Sequence, residues 1–213
     1  MKKNTFVFLG FRRGGSSIFY SITENIFKNS GYKVRDIVKD FHNKGVHIRQ
    51  IPQKDIDDSL NEFDLVGTFR AAPELLNSSK KINIMPIIVV RDPRDCYLSW
   101  YHAQKIHNKG PLKVKVKEGD DLAKFLSLDD KFDQDILDLV KFVKANNGLI
   151  LKYEDIVSNP CTYMEQLIDF TGLAFSRNAI DTAIIRANFI QCAQLVKTAP
   201  AHYAGGQLCD GNA

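Results

Sequence analysis

The segment Ile84–Val90, IMPIIVV, carries no charge and no polar side chain. It is far too short to cross a membrane. An uninterrupted apolar strand must instead be covered on both faces, which happens where helices pack on each side of a parallel sheet. Pro86 lies near the start of the run, where a missing N–H is tolerated. Thr5–Leu9 (TFVFL) and Gly148–Lys152 (GLILK) read as further core strands, and Tyr32–Val38 and Asp64–Phe69 as two more. Helices are expected over Ser16–Asn29, stopped by Ser30-Gly31, and over Pro93–His107, with Asp92 as N-cap and Pro93 in the first position. Over Asp129–Ala145, Phe132, Ile136, Leu139, Val140 and Val143 recur at helical spacing. A short helix near Pro73–Leu76 and helices near Pro160–Thr171 and Arg177–Lys197 complete the pattern. Strands alternating with helices predict an α/β domain, a mainly parallel central sheet flanked by helices. The length of 213 residues suits one such domain over residues 1–213.

In such folds ligands sit beyond the carboxyl ends of the strands. Three segments leave strands at that edge: Gly10–Ser17, Arg91–Ser99 and Tyr153–Asp155. The first, GFRRGGSS, has the frame of a phosphate-binding loop, yet Ser16 stands where a Walker loop carries its lysine. A strand, a glycine turn and a helix start gather several backbone N–H groups around one anion. Gly14 and Gly15 allow the turn, Ser16 and Ser17 bring hydroxyls, and Arg13 inside the loop can bond two oxygens of a phosphate or sulfate at once. In the second segment Arg91 leaves the strand and Ser99 lies nearly two turns into the helix, a pair able to hold a second phosphate.

The composition excludes several classes. A net charge of +4 suits an anionic ligand but is too small to argue for nucleic acid. The four cysteines, Cys96, Cys161, Cys192 and Cys209, form no C-x-x-C pair, which argues against zinc or a disulfide framework and fits a reducing cytoplasm. Lys2 and Lys3 precede an apolar stretch, but Gly10–Arg13 breaks it too early for a signal peptide.

These blocks, taken in order, resemble the sulfotransferases that use 3′-phosphoadenosine 5′-phosphosulfate (PAPS). Arg12-Arg13-Gly14-Gly15-Ser16-Ser17-Ile18 is similar to their PKSGTTW-like 5′-phosphosulfate loop. Arg91-Asp92-Pro93-Arg94-Asp95 with Ser99-Trp100-Tyr101-His102 is similar to their RNPRDxxxSxYH segment, and Leu151–Asp155 with Asn159-Pro160 to LxYEDL…DP. Gln166–Leu173 resembles the helix that follows, and Asn188–Gln191, more weakly, a late SFENM-like segment. The resemblance implies a P-loop NTPase-like sulfotransferase fold and in-line sulfuryl transfer from PAPS to a hydroxyl or amine. Adenosine 3′,5′-bisphosphate (PAP) is released, and no metal is needed. It places Arg12, Arg13, Gly14, Gly15, Ser16 and Ser17 at the 5′-phosphosulfate, with Arg13 in the position of the family's loop lysine and catalytic. Arg91 and Ser99 are placed at the 3′-phosphate, and Tyr153 and Phe189 at the adenine.

Three departures stand out. The family's KTHLP-like histidine segment corresponds to Val66–Ala71, which has no histidine, so the general base is unassigned. His42 is taken as the candidate, with His47, Asp40 and Glu74 behind it. Ile18 replaces a tryptophan that stacks on adenine, leaving Phe19 or another aromatic to substitute. The family's RKGxxGDW-like end corresponds to Ala201–Ala213, which has no Arg or Lys. The basic stretch Lys109–Lys117 reads as a solvated loop or a lid over an acidic acceptor. The chain is shorter than the family's cytosolic members, which predicts a reduced or open acceptor pocket. The acceptor itself, a small molecule, carbohydrate or lipid, is not encoded in these motifs. Two rival readings remain: a degenerate nucleotide-binding homologue without turnover, and a P-loop small-molecule kinase, which Ser16 disfavours.

Overall fold

A computed structural model of the chain describes residues 3–70, 73–76, 82–107 and 132–185. Among these residues, five strands form one sheet: β1 (Asn4–Gly10), β2 (Val34–Asp36), β3 (Leu65–Arg70), β4 (Asn83–Val90) and β5 (Leu149–Lys152). Their order is β2-β3-β1-β4-β5, and every neighbouring pair is parallel. The helices are α1 (Ser16–Asn29), α2 (Ile37–His42), α3 (Gln53–Glu62), α4 (Pro93–His107), α5 (Phe132–Ala145), α6 (Tyr153–Ser158), α7 (Pro160–Thr171) and α8 (177–185). Single 3-10 turns lie at Ile48–Gln50 and Pro73–Leu76.

Alternation along the strands divides the core. Phe6 and Phe8 of β1, with Ile87 and Val89 of β4, pack with Phe19, Ile22, Ile26 and Phe27 of α1 and with Tyr163, Met164 and Leu167 of α7. Val7, Leu9 and Ile88 face the other way, against Ile56 and Leu60 of α3, Cys96 of α4, and Leu139 and Val143 of α5. Both faces of the sheet are thus covered, as the apolar run of β4 requires. Helix α1 shows how local signals set an element. Its apolar face repeats at three- and four-residue steps. It stops where Gly31 turns to φ 86°, with the Gly31 and Tyr32 N–H groups donating to the carbonyls of Lys28 and Phe27.

The structure moves three expected boundaries. The second strand ends at Asp36 rather than Val38, because the Asp36 carboxylate accepts the Lys39 N–H at 3.0 Å and starts α2 instead. Helix α3 was not anticipated, although Ile56 and Leu60 stand four residues apart on its buried side. Tyr153–Asp155, read as a segment leaving the last strand with no helix assigned to it, opens α6.

One buried polar pair offers a stability test. The Thr23 hydroxyl donates to the Phe19 carbonyl at 2.7 Å and is hydrogen-bonded to the Tyr163 hydroxyl. Tyr163→Phe is expected to cost about 1 kcal/mol, read as a lower urea midpoint at unchanged slope. A cost near zero would remove this pair from the account of the core.

Candidate active site

Strand β1 sits at the centre of the sheet, and its connection runs to β2 and β3 on one side. Its neighbour β4 connects onward to β5 on the other side. The carboxyl ends of β1 and β4 therefore flank the point where the winding reverses, the place where parallel sheets leave a crevice. The glycine loop and the Arg91–Ser99 segment both emerge there.

Close packing shapes the loop. A Cβ on Gly10 would lie 2.2 Å from the Ser16 Cβ, and one on Gly14 would lie 2.8 Å from the Phe11 ring. Gly15, the N-cap of α1, has φ 83°, and a Cβ there would lie 2.7 Å from the Tyr153 ring. Arg13 also takes a positive φ, 61°. The first turn of α1 holds no acidic residue, so its N–H groups and the positive end of the helix dipole meet no opposing charge within that turn. Ser16 is buried and Ser17 exposed. A ring of small residues under a helix N-terminus is a cradle for an anion.

The three motif blocks interlock at this edge. The exposed Arg13 side chain reaches across to α4, and its Nε donates to Ser99 Oγ at 3.0 Å. The Cys96 thiol lies 3.6 Å from the Arg13 carbonyl, and burial pushes that thiol up to about 12. It is therefore a packing group rather than a nucleophile. The Arg12 guanidinium lies 4.9 Å from the centre of the Trp100 ring. Arg91 stacks on Tyr153 at 4.6 Å and lies 3.7 Å from Asp95. Its Nε is buried without a hydrogen-bond partner. Glu154 accepts the Asp92 N–H at 3.2 Å, which ties α6 to the start of α4. Asp92 caps α4 by accepting the Arg94 N–H at 2.9 Å, and its hydrogen bonds with Arg94 hold its carboxyl down at about 2.

The structure thus brings together Arg12, Arg13, Gly14, Gly15, Ser16, Ser17, Arg91, Ser99 and Tyr153. Tyr153 is 7% exposed, with Arg91 over its ring and Gly15 against its edge. Phe19 is a core residue. His42 ends α2, exposed, and its imidazole makes no hydrogen bond among the described residues. Phe189, the basic stretch Lys109–Lys117 and the tail Ala201–Ala213 lie outside the described residues. Trp100, Cys96 and Glu154 stood inside the quoted motifs but received no role from sequence. Their partners are contacts between blocks, which no single block displays.

An all-parallel sheet with a glycine loop between its central strand and first helix defines a P-loop-like α/β protein. The chain belongs to the sulfotransferase domain family, which it matches over residues 3–194. It is similar in structure to mouse sulfotransferase SULT7A1 complexed with PAP, at 14% identity and a TM-score of 0.63, with 89% of this chain and 65% of that chain covered. Retinol dehydratase in a complex with retinol and PAP is similar at 16% identity and a TM-score of 0.54, covering 88% and 65%. The chain therefore spans less than two thirds of the length of either protein. No curated protein sequence matches it.

Proposed function

We propose that the chain is a PAPS-dependent sulfotransferase that moves a sulfuryl group to a hydroxyl or amine of a small-molecule, carbohydrate or lipid acceptor and releases PAP. The observation that carries this reading is the interlock of the three blocks at the β1–β4 edge. Arg13 touches Ser99, Gly15 lies against Tyr153, and Arg91 stacks on Tyr153.

The residues present fit the donor. The glycines let the loop pack closely on Phe11, Ser16 and Tyr153, and the α1 N-terminus supplies N–H donors for a phosphosulfate. The buried, unpartnered Arg91 Nε is a donor suited to the 3′-phosphate, beside Ser99. Arg13 stabilises the negative charge that grows on the leaving phosphate, with Ser16, Ser17 and the loop N–H groups. Arg12, held over Trp100, adds positive charge to the same rim. Tyr153 and Phe189 are taken as the contacts to the adenine. Among the described residues, no helix is long and apolar enough to cross a membrane and no cluster of metal-ligating side chains occurs. The reading takes residues 1–213 as one domain and places it in the cytoplasm, where free thiols such as Cys96 and Cys161 persist.

Calorimetric titration with PAP, beside ADP and magnesium-ATP, tests the reading. Metal-free PAP is expected to bind best. Arg91→Ala is expected to lose about 1.5–3 kcal/mol, roughly ten- to hundredfold in Kd. Binding of magnesium-ATP alone would turn the assignment toward a kinase.

A further inference from the structure

We infer that Asp36 is the residue that takes the acceptor's proton, with its free carboxylate oxygen directed at the acceptor hydroxyl. The inference rests on the sulfotransferase reading and supplies the base that the missing histidine leaves open.

The other candidates are occupied or turned outward. His47 accepts the Arg49 N–H through Nδ1 and caps a 3-10 turn. Asp40 pairs with Arg35 at 3.3 Å, and Glu74 with Arg49 at 3.5 Å. His42 is exposed at the end of α2. Asp36 differs from all four. It is the last residue of β2, at the carboxyl edge of the sheet that carries the donor loop. Its Oδ1 accepts two backbone N–H groups, Lys39 at 3.0 Å and Thr68 at 2.9 Å. The second bond draws the carboxylate over β3, toward β1. Asp36 pairs with Gly67 of β3, the strand that lies between β2 and β1.

Oδ2 makes no hydrogen bond among the described residues. A second observation points to the same place. Tyr20, on the helix that the donor loop opens, presses its ring on Gly67 of β3. Its hydroxyl is buried without a partner, and Asp36 is the foremost charge acting on it. The Tyr20 hydroxyl thus lacks the hydrogen-bond partner that buried polar groups normally have, on the side where the Asp36 charge acts. An acceptor hydroxyl satisfies both: it donates to Oδ2 and accepts from Tyr20. Burial raises the Asp36 carboxyl above the ordinary aspartate range, against the two N–H bonds and Lys39, while Glu24 on α1 adds to the rise. A carboxylate so placed is a stronger proton acceptor than a solvated one.

The step balances. The acceptor oxygen bonds to sulfur as the bond from sulfur to the 5′-phosphate oxygen breaks. The acceptor's proton passes to Oδ2, and the electron pair of the broken bond leaves with PAP.

The test uses the full chain and sulfur-labelled PAPS with two acceptors: water, which must lose a proton, and 4-nitrophenol at mildly alkaline pH, already largely ionised. Asp36→Asn keeps a capping oxygen and is expected to bind PAP as the wild type does. It should lose about 100-fold or more in turnover with water and far less with nitrophenolate. Asp36→Ser, another capping residue without a carboxylate, carries the test if the asparagine variant folds poorly. Equal losses with both acceptors, or full retention of turnover, would overturn the assignment. The same acceptor-dependent loss in His42→Ala, with Asp36→Asn active, would move the role to His42. Failure of the wild type to bind PAP would sink the donor-site reading itself, and the Asp36 role with it.

Discussion

Arg13→Ala is expected to lower kcat for sulfuryl transfer by about 100- to 1,000-fold. The guanidinium is the cation that this loop offers from before its glycines, whereas a Walker loop carries a lysine after them. It is aimed from inside the loop and steadied by the bond from Nε to Ser99 Oγ. Charge that develops on the leaving phosphate is met by a group already in position, so little reorganisation is needed. The side chain is exposed, so the variant should melt near the wild-type temperature. Arg13→Lys restores charge but cannot hold a planar fork against both the donor and Ser99, and should recover only part of the rate. Turnover of labelled PAPS at saturating donor reads the effect. A loss below about tenfold in Arg13→Ala would mean that the loop amides and hydroxyls carry the leaving group without it.

Gly15→Val should remove PAP binding and lower stability by about 2–5 kcal/mol. Two costs add at this position. The residue has φ 83°, where an L side chain is strained, and its Cβ would drive into Tyr153, itself packed under Arg91. Gly31 is the internal control, since it has φ 86° but nothing within 4 Å of a Cβ. Gly31→Val should therefore show the backbone cost alone, about 1–2 kcal/mol. Urea midpoints of the two variants separate the terms. Equal midpoints would show that the loop moves off Tyr153 without penalty, and the close fit of the two blocks would lose its meaning.

Much of this could be read from the residues, for a physical reason. Apolar strands buried on both faces and helices with strong apolar stripes are local signals, and β1, β4, α1, α4 and α7 lie close to their expected places. The donor loop and Arg91–Ser99 were legible because glycines, arginines and hydroxyls at fixed intervals serve phosphate chemistry. What escaped depends on contacts between distant segments. The cap that ends β2 was hidden behind the strand-like Ile37-Val38, and Asp36 gained interest only when Thr68 reached its carboxylate. Arg91 was legible as a phosphate ligand, but the Tyr153 ring that it stacks on and the burial of its Nε were not. A pairwise geometry of this kind is not written in either block alone.

The position of β1 in the sheet also sets an order for the chain's assembly. β1 pairs with β3 through Phe6 and Leu65, and with β4 through Thr5 and Ile84. As the chain leaves the ribosome, the first strand made waits for both neighbours, and Tyr153 arrives later still. Non-local parallel pairing of this kind is slow to form. Phe6, Val7, Phe8 and Leu9 stay uncovered for much of synthesis, a stretch that chaperones would shield and that aggregation would exploit. The crevice between β1 and β4 is therefore among the last parts of the sheet to come into being, although its loop is translated before the other four strands.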